Sequence, residues 1–226
     1  MPRYNLFHRI HKGLRALLYD TSLLLQRTDF TIEDESLEAI NRLKFVITLF
    51  EKYQHSEDVY ILPAMTTYEP GVADSFEQEH EEAYLLGSKL ERLINDFIAA
   101  RLPLEQVSVS NKIVAQFEEF TIFNILHMAR EEQVVNKILW RYYTEAELQK
   151  IAWMIIGEAE PSFMSPYSKW MIRGLNNNEI VRWLKEVRQT AKEADFQSLL
   201  KTAEAEMHPQ RWNLLQDVLE TDAIAA

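Results

Sequence analysis

The chain has 226 residues, no cysteine and a net charge of −11, and these properties exclude several classes of function. Without cysteine there are no disulfides, thiolate zinc sites, iron–sulfur clusters or cysteine nucleophiles. The acidic charge disfavours nucleic acid as a partner, because phosphate binding requires basic patches. The start of the chain has no apolar segment like that of a signal peptide, and no run of about 18 apolar residues occurs. We therefore expect a cytoplasmic protein with no membrane partner.

Long helices are the predicted secondary structure. Glycine and proline number only 5 and 7, and 47% of the residues are hydrophobic, which favours an all-α fold with a sizeable core. Breaks at Asp29-Phe30-Thr31, Pro70-Gly71 and Leu102-Pro103 separate four segments with helical apolar spacing. We name them helix A (about residues 4–28), helix B (about 31–63), helix C (about 73–100) and helix D (about 105–142). Their short connections predict an up-down-up-down four-helix bundle over residues 1–142.

Helices A, B and C each carry an ionisable residue on an otherwise apolar stripe. His11 lies on the stripe of helix A, Glu57 follows Tyr53 by one turn on helix B, and His80 lies on the stripe of helix C. In helix D, steps of three and four residues predict an inward stripe made of Ile113, Phe117, Phe120, Asn124, His127, Glu131, Val134 and Ile138. Buried imidazoles and carboxylates are costly unless they are paired.

The residues after helix D form a C-terminal helical extension, residues 143–226. Shorter helices are predicted near residues 144–157, 162–173, 178–191, 194–206 and 209–219, with Thr144 and Glu147 as a capping box and Glu160-Pro161 as one of the breaks. Four tryptophans recur in it, at Trp153, Trp170, Trp183 and Trp212. We interpret the extension as a packing element that caps the bundle or forms a homodimer contact.

The inward polar residues suggest a metal site. Bundles build such sites in their cores from one or two ligands on each of the four helices. The candidate metal ligands are His11, Glu57, His80, His127 and Glu131. Nitrogen and oxygen ligands without sulfur suit iron, manganese or zinc. The competing interpretation is a buried hydrogen-bonded and ion-paired network that holds no metal.

The chain resembles the hemerythrin-like, or HHE cation-binding, proteins over about residues 4–142. The motifs that carry the resemblance are His11-Lys12-Gly13-Leu14-Arg15, Tyr53-Gln54-His55-Ser56-Glu57-Asp58, Glu79-His80-Glu81-Glu82 and His127-Met128-Ala129-Arg130-Glu131-Glu132. The resemblance implies a four-helix bundle with a non-haem di-iron centre. It implies that Glu57 and Glu131 bridge the irons and that the three histidines are terminal ligands. An open position would take dioxygen, nitric oxide or water.

The chain departs from the family pattern at three positions. Tyr53 replaces the histidine of helix B, and the places of a second histidine on helix C hold Phe76 and Tyr84. Tyr53 and Tyr84 are therefore candidate cofactor-binding residues, as a phenolate ligand or a redox neighbour. With these departures the site would hold two irons, one metal near His80 and His127, or none.

The leading functional hypothesis is a non-haem iron protein that binds or senses dioxygen or nitric oxide, or handles iron. We do not expect an enzyme, and any turnover would be a ferroxidase-like or peroxidase-like oxidation. The alternative is a degenerate, metal-free bundle that acts as a structural or interaction module.

Overall fold

The computed structural model describes residues 3–158 and 161–224, and every regular element within these ranges is helical. The all-α prediction is therefore confirmed. The α-helices in chain order are α1 (His8–Arg27), α2 (Glu33–Tyr60), α3 (Leu62–Thr66), α4 (Pro70–Ala99), α5 (Pro103–Arg130), α6 (Asn136–Tyr142), α7 (Glu145–Glu158), α8 (Pro161–Gly174), α9 (Asn177–Thr190), α10 (Glu193–Glu206) and α11 (Pro209–Ile224). A π-helical turn, the π-turn Glu131–Val135, joins α5 to α6.

Most helices end close to the predicted breaks, and the main differences involve proline. Helix B ends at Tyr60, and Pro63 lies in the first turn of the separate short helix α3. The prediction that Pro70-Gly71 forms a turn is wrong, because Pro70 is the first residue of α4. Proline suits the first turn of a helix, where its missing N–H costs no hydrogen bond. At the predicted Glu160-Pro161 break, Glu160 lies outside the described residues.

The chain divides into two compact units. The first unit contains Met1–Phe7 and Leu17–Glu158, and the second contains His8–Ala16 and Ala159–Ala226. The sequence analysis placed the boundary after residue 142, whereas α7 is grouped with the first unit. The capping box predicted at the start of α7 is present: the Thr144 amide donates to Glu147 at 2.8 Å, and the Glu147 amide donates to the Thr144 hydroxyl at 3.4 Å.

In the first unit, the apolar stripes of α2, α4 and α5 form a shared core. Helix α4 packs along α5, and α2 packs on α4. Phe50 of α2 meets Phe120 of α5 edge-on, with ring centroids 5.4 Å apart. A further buried cluster joins α3, α4, the π-turn, α6 and α7 through Phe7, Ile61, Leu62, Met65, Ala73, Phe76, Val135, Ile138, Leu139 and Leu148. The polar residues on the three stripes are therefore enclosed by apolar side chains.

In the second unit, glycine lets the start of α1 approach α8 closely. A Cβ on Gly174 would lie 2.3 Å from the Lys12 carbonyl oxygen, and one on Gly13 would lie 2.8 Å from the Met171 amide nitrogen. The carboxylate of Glu179 also accepts hydrogen bonds from Lys12 at 2.6 and 2.8 Å. No helix in the described ranges has both the length and the apolar character needed to cross a bilayer.

Candidate metal centre

Four side chains of metal-ligand type meet in the core of the first unit. Glu57 belongs to α2, His80 to α4 and His127 to α5, and Glu131 is the first residue of the π-turn. Each offers one ligand atom, and the four atoms all lie within 4.8 Å of one another. The four residues, which we call the core cluster, are 1%, 7%, 4% and 2% exposed in chain order. Acids and imidazoles buried to this degree need a cation or hydrogen bonds to compensate them.

The helical spacing of the sequence accounts for most of this convergence. The stripe of α4 that carries His80 is buried along its length, at Phe76, His80, Ala83, Gly87, Leu90, Ile94 and Phe97. On α5, the steps of three and four residues bring His127 to the core face, and Glu131 follows one turn later. The amphipathic pattern therefore places these side chains on core faces, and the packing of the helices brings them together.

The π-turn changes the register of the stripe after Glu131. The amide of Asn136 donates to the carbonyl of Glu131, five residues earlier, so the turn contains one residue more than an α-helical turn. The sequence predicted Val134 as the next inward residue. In the structure Val135 is 1% exposed, whereas Val134 is only partly buried. Val134 nevertheless packs against the buried cluster, and Ile138 is buried as predicted, so Val135 joins the stripe rather than replacing its later members.

Each histidine of the core cluster is held through its Nδ1 atom by a carboxylate outside the cluster. His80 Nδ1 lies 2.6 Å from Asp58 Oδ1, and His127 Nδ1 lies 2.7 Å from Glu79 Oε2. An ionised carboxylate only accepts hydrogen bonds, so both Nδ1 atoms carry the proton. In the neutral imidazole, this tautomer leaves the lone pair on Nε2. Histidines that bind metals show this arrangement.

Inner atoms of three core-cluster residues, Glu57, His80 and His127, are buried without a hydrogen bond to any described residue. Among the described residues, both carboxylate oxygens of Glu57 and the Nε2 atoms of His80 and His127 are buried without a partner at hydrogen-bonding geometry. His80 Nε2 lies 3.5 Å from Glu57 Oε2, and His127 Nε2 lies 3.6 Å from Glu131 Oε1. Buried polar atoms normally find a partner, and a bound ion would explain these exceptions. The residues present therefore fit a metal ion.

The pKa shifts show that the core cluster favours one positive charge, on His80, beside the anionic Glu57. Burial opposes the charged form of His80, but the hydrogen bond to Asp58 and the nearby negative charge of Glu57 outweigh it and raise the pKa of His80 to about 9. Burial and the charge of His80 lower the pKa of His127 below its ordinary value. Burial would raise the pKa of Glu57, yet the side chains of Glu131 and His80 lower it well below its usual range. Glu57 thus remains an anion at neutral pH.

A second layer of contacts holds the carboxylate behind His127. Arg130 forms an ion pair with Glu79 and donates to the Ser75 hydroxyl at 2.7 Å. The guanidinium lies 4.5 Å from the ring centroid of Phe76, and that ring lies 5.7 Å from the ring of His127. The roles of Glu79 and Arg130 were not predicted from the sequence, although both residues lie within the quoted motifs. Their charges alternate with other exposed charges, so nothing in the linear pattern indicates the pairing across α4 and α5.

The other predicted site residues lie in different environments. Tyr53 is 8% exposed on α2, one turn before Glu57, as its position on the stripe predicts. Tyr84 is 60% exposed and does not share the buried environment of the core cluster, because the inward face of α4 continues from His80 through Ala83. His11 is fully buried on α1, belongs to the second unit and is not a member of the core cluster.

A surface cavity lies beside the outer carboxylate of α2. Its volume is about 360 Å³, and it is lined by Asp58, Leu62, Pro63, Thr66, Thr67 and Glu77. The side chain of Asp58 is 47% exposed while its Oδ1 contacts the buried His80. Asp58 therefore connects solvent in this cavity with the ring of a core-cluster histidine.

No family model, curated protein or solved structure matches this chain. The function is therefore argued from the chemistry of the core cluster and of the residues that surround it.

Proposed function

We propose that the protein is a hemerythrin-like, non-haem iron protein that binds the metal through Glu57, His80, His127 and Glu131. The observation that carries the proposal is the core cluster itself. Four ligand atoms lie within 4.8 Å of one another, and the inner atoms of Glu57 and both histidines have no hydrogen-bond partner among the described residues. Both histidines are oriented through Nδ1 by carboxylates, as metal-binding histidines are.

The donor set supports a first-row transition metal. Two imidazoles and two carboxylates, without sulfur, suit iron, manganese or zinc more than a soft ion. Iron is the proposed metal because the sequence motifs resemble those of hemerythrin-like proteins. Iron bound here would supply a site for dioxygen or nitric oxide, because four protein donors leave positions open on a six-coordinate ion. Binding or sensing of such a gas, or iron handling, is the proposed role.

The number of ions depends on donors beyond the core cluster. Its four donors are enough for one ion. A pair of irons, as the resemblance implies, requires further donors, and the resemblance assigns that role to His11. A four-helix bundle is part of the same proposal. It is supported by α2, α4, α5 and the part of α1 after residue 16, which all belong to the first unit.

The second candidate is a metal-free module, and two observations favour it. Tyr53 stands where the family pattern has a histidine, and each histidine of the core cluster lies near a cluster carboxylate, at 3.5 Å and 3.6 Å. Under this alternative, charged His80 would balance Glu57 and Asp58 in place of a metal.

Metal content separates the two candidates. The chain would be produced without a histidine tag in iron-supplemented cells, and iron, manganese and zinc would be measured per chain. The proposal expects one or two irons in the wild type and a large loss in His127→Gln. His55→Gln is the matched control, because His55 is exposed on α2 and carries the same kind of side chain. Metal-free wild type that takes up no ferrous iron without air would refute the proposal and leave the metal-free module.

A further inference from the structure

The two carboxylates behind the core-cluster histidines differ in charge balance. Glu79, behind His127, is paired with Arg130. Asp58, behind His80, is 47% exposed along its side chain, and among the described residues its ion-pair contact is His80 itself. His127 is therefore backed by a neutral pair, whereas His80 is backed by a carboxylate whose ion-pair contact, within the described ranges, is His80 alone.

Arg130 is held in place from three sides. It bonds to Glu79 and to the Ser75 hydroxyl, and it lies over the ring of Phe76. Ser75 and Glu79 are one turn apart on α4, so they present one face to Arg130 of α5. The Glu79 side chain is only 23% exposed, so the pair is partly shielded from solvent. The Arg130 side chain is 39% exposed, so its position is fixed by the three contacts rather than by burial.

We propose that Glu79 and Arg130 form a charge-neutral clamp that positions His127 toward the ion and sets the balance between its oxidation states. The inference rests on the proposed function, since it concerns residues that act on the bound metal through His127. Glu79 accepts the Nδ1 proton and fixes the orientation of the ring. Arg130 cancels the negative charge of Glu79, which would otherwise make the imidazole a stronger electron donor and favour the ferric state.

Charge variants test the clamp because the clamp predicts opposite shifts of the midpoint potential for the two single variants. Glu79→Gln keeps a carbonyl oxygen for Nδ1 but leaves Arg130 unbalanced, so it should raise the midpoint potential of the iron-loaded protein. Arg130→Gln leaves Glu79 unbalanced and should lower that potential. The double variant should return close to the wild-type value, and Arg130→Lys should remain close to it.

Affinity for Co²⁺, followed by its visible absorption, tests the positioning role separately. Glu79→Ala removes the acceptor for Nδ1 and should weaken Co²⁺ binding about 10–100-fold, the usual effect of losing such a partner. Glu82→Ala on the exposed face of α4 is the matched control and should bind as the wild type does. Melting of each metal-free variant shows whether it is folded. If the Glu79 variants do not fold, Arg130→Gln still tests the charge effect, with Arg130→Lys as its charge-preserving control.

The outcomes distinguish the clamp from the proposed function. Wild type that binds neither Co²⁺ nor iron overturns both. Wild type that binds, with both single charge variants moving the potential in the same direction or not at all, overturns the clamp and leaves the metal centre in place. Opposite shifts that cancel in the double variant support the clamp.

Discussion

Replacing His127 by glutamine is expected to remove most of the stabilisation that a divalent ion gives to the first unit. The donors of the core cluster come from α2, α4, α5 and the π-turn, so the site exists only when these elements are packed together. An ion that binds the folded chain but not the unfolded chain raises the free energy of unfolding by mass action. Loss of the His127 donor weakens that coupling without changing the other three ligands.

The expected magnitude follows from the binding equation. At a free ion concentration of about 100 times Kd, the wild type gains about 2.7 kcal/mol. For a chain of this size, about 1 kcal/mol changes Tm by about 2–4 °C, so the gain in Tm is about 5–11 °C. If the variant binds about 100-fold more weakly, the same ion concentration stabilises it by only about 0.4 kcal/mol. Its gain in Tm is then about 1–2 °C.

The assay is thermal unfolding followed by circular dichroism, with chelator-treated and Co²⁺-loaded protein compared for each variant. The ion-induced change in Tm is the relevant quantity, because His127→Gln also alters the buried contact with Glu79 in the metal-free protein. His55→Gln should retain the full wild-type shift. An equal shift in His127→Gln and the wild type would contradict the assignment of His127 as a ligand. If chelator-treated and Co²⁺-loaded wild type had the same Tm, metal binding would not be coupled to folding.

Three further predictions concern stability outside the core cluster. Gly174→Ala should lower the free energy of unfolding of the second unit by about 1–3 kcal/mol in urea unfolding, because the new Cβ would lie 2.3 Å from the Lys12 carbonyl oxygen. Gly71→Ala is the control. It should not destabilise the protein, because nothing lies within 4 Å of its Cβ. Leu90→Ala should lower the free energy of unfolding, measured in urea, by about 2–5 kcal/mol, because Leu90 is fully buried. An unchanged free energy of unfolding would contradict the packing of α4. Although burial opposes it, hydrogen bonds from Lys12 and the Asn176 amide lower the pKa of Glu179 from 4.5 to about 2. The stability from this carboxylate is therefore present above pH 4.5 and lost as pH falls toward 2, and Glu179→Gln should remove that part of the acid dependence.

Much of the fold could be predicted from local patterns in the sequence. Apolar spacing and the proline and glycine breaks predicted the long helices and most of the shorter helices of the extension. The exceptions are positions where the local sequence is compatible with more than one structure. Pro70 suits a helix start as well as a turn, and only the packing of α4 decides between them. The π-turn adds one residue to α5 and α6, and no residue type in Glu131–Val135 marks that insertion.

The inward positions of the candidate site were also accessible from the sequence. Glu57, His80, His127 and Glu131 each lie on an apolar stripe, and all four are buried in one cluster. Tyr84 shows the limit of this reasoning. A residue four positions after His80 is rotated about 40° beyond it around the helix. The buried face of α4 continues through Ala83 and Gly87, and Tyr84 lies in solvent.

What the sequence by itself determined is therefore the helical class, most of the helix limits and the faces on which the polar residues lie, because these depend on contacts within a few residues. Only the tertiary structure decided which side chains meet. The contacts of Asp58 with His80, of Glu79 with His127 and of Arg130 with Glu79 depend on the rotation and axial offset of packed helices. Those quantities result from the whole core of the first unit, and helical periodicity carries no information about them.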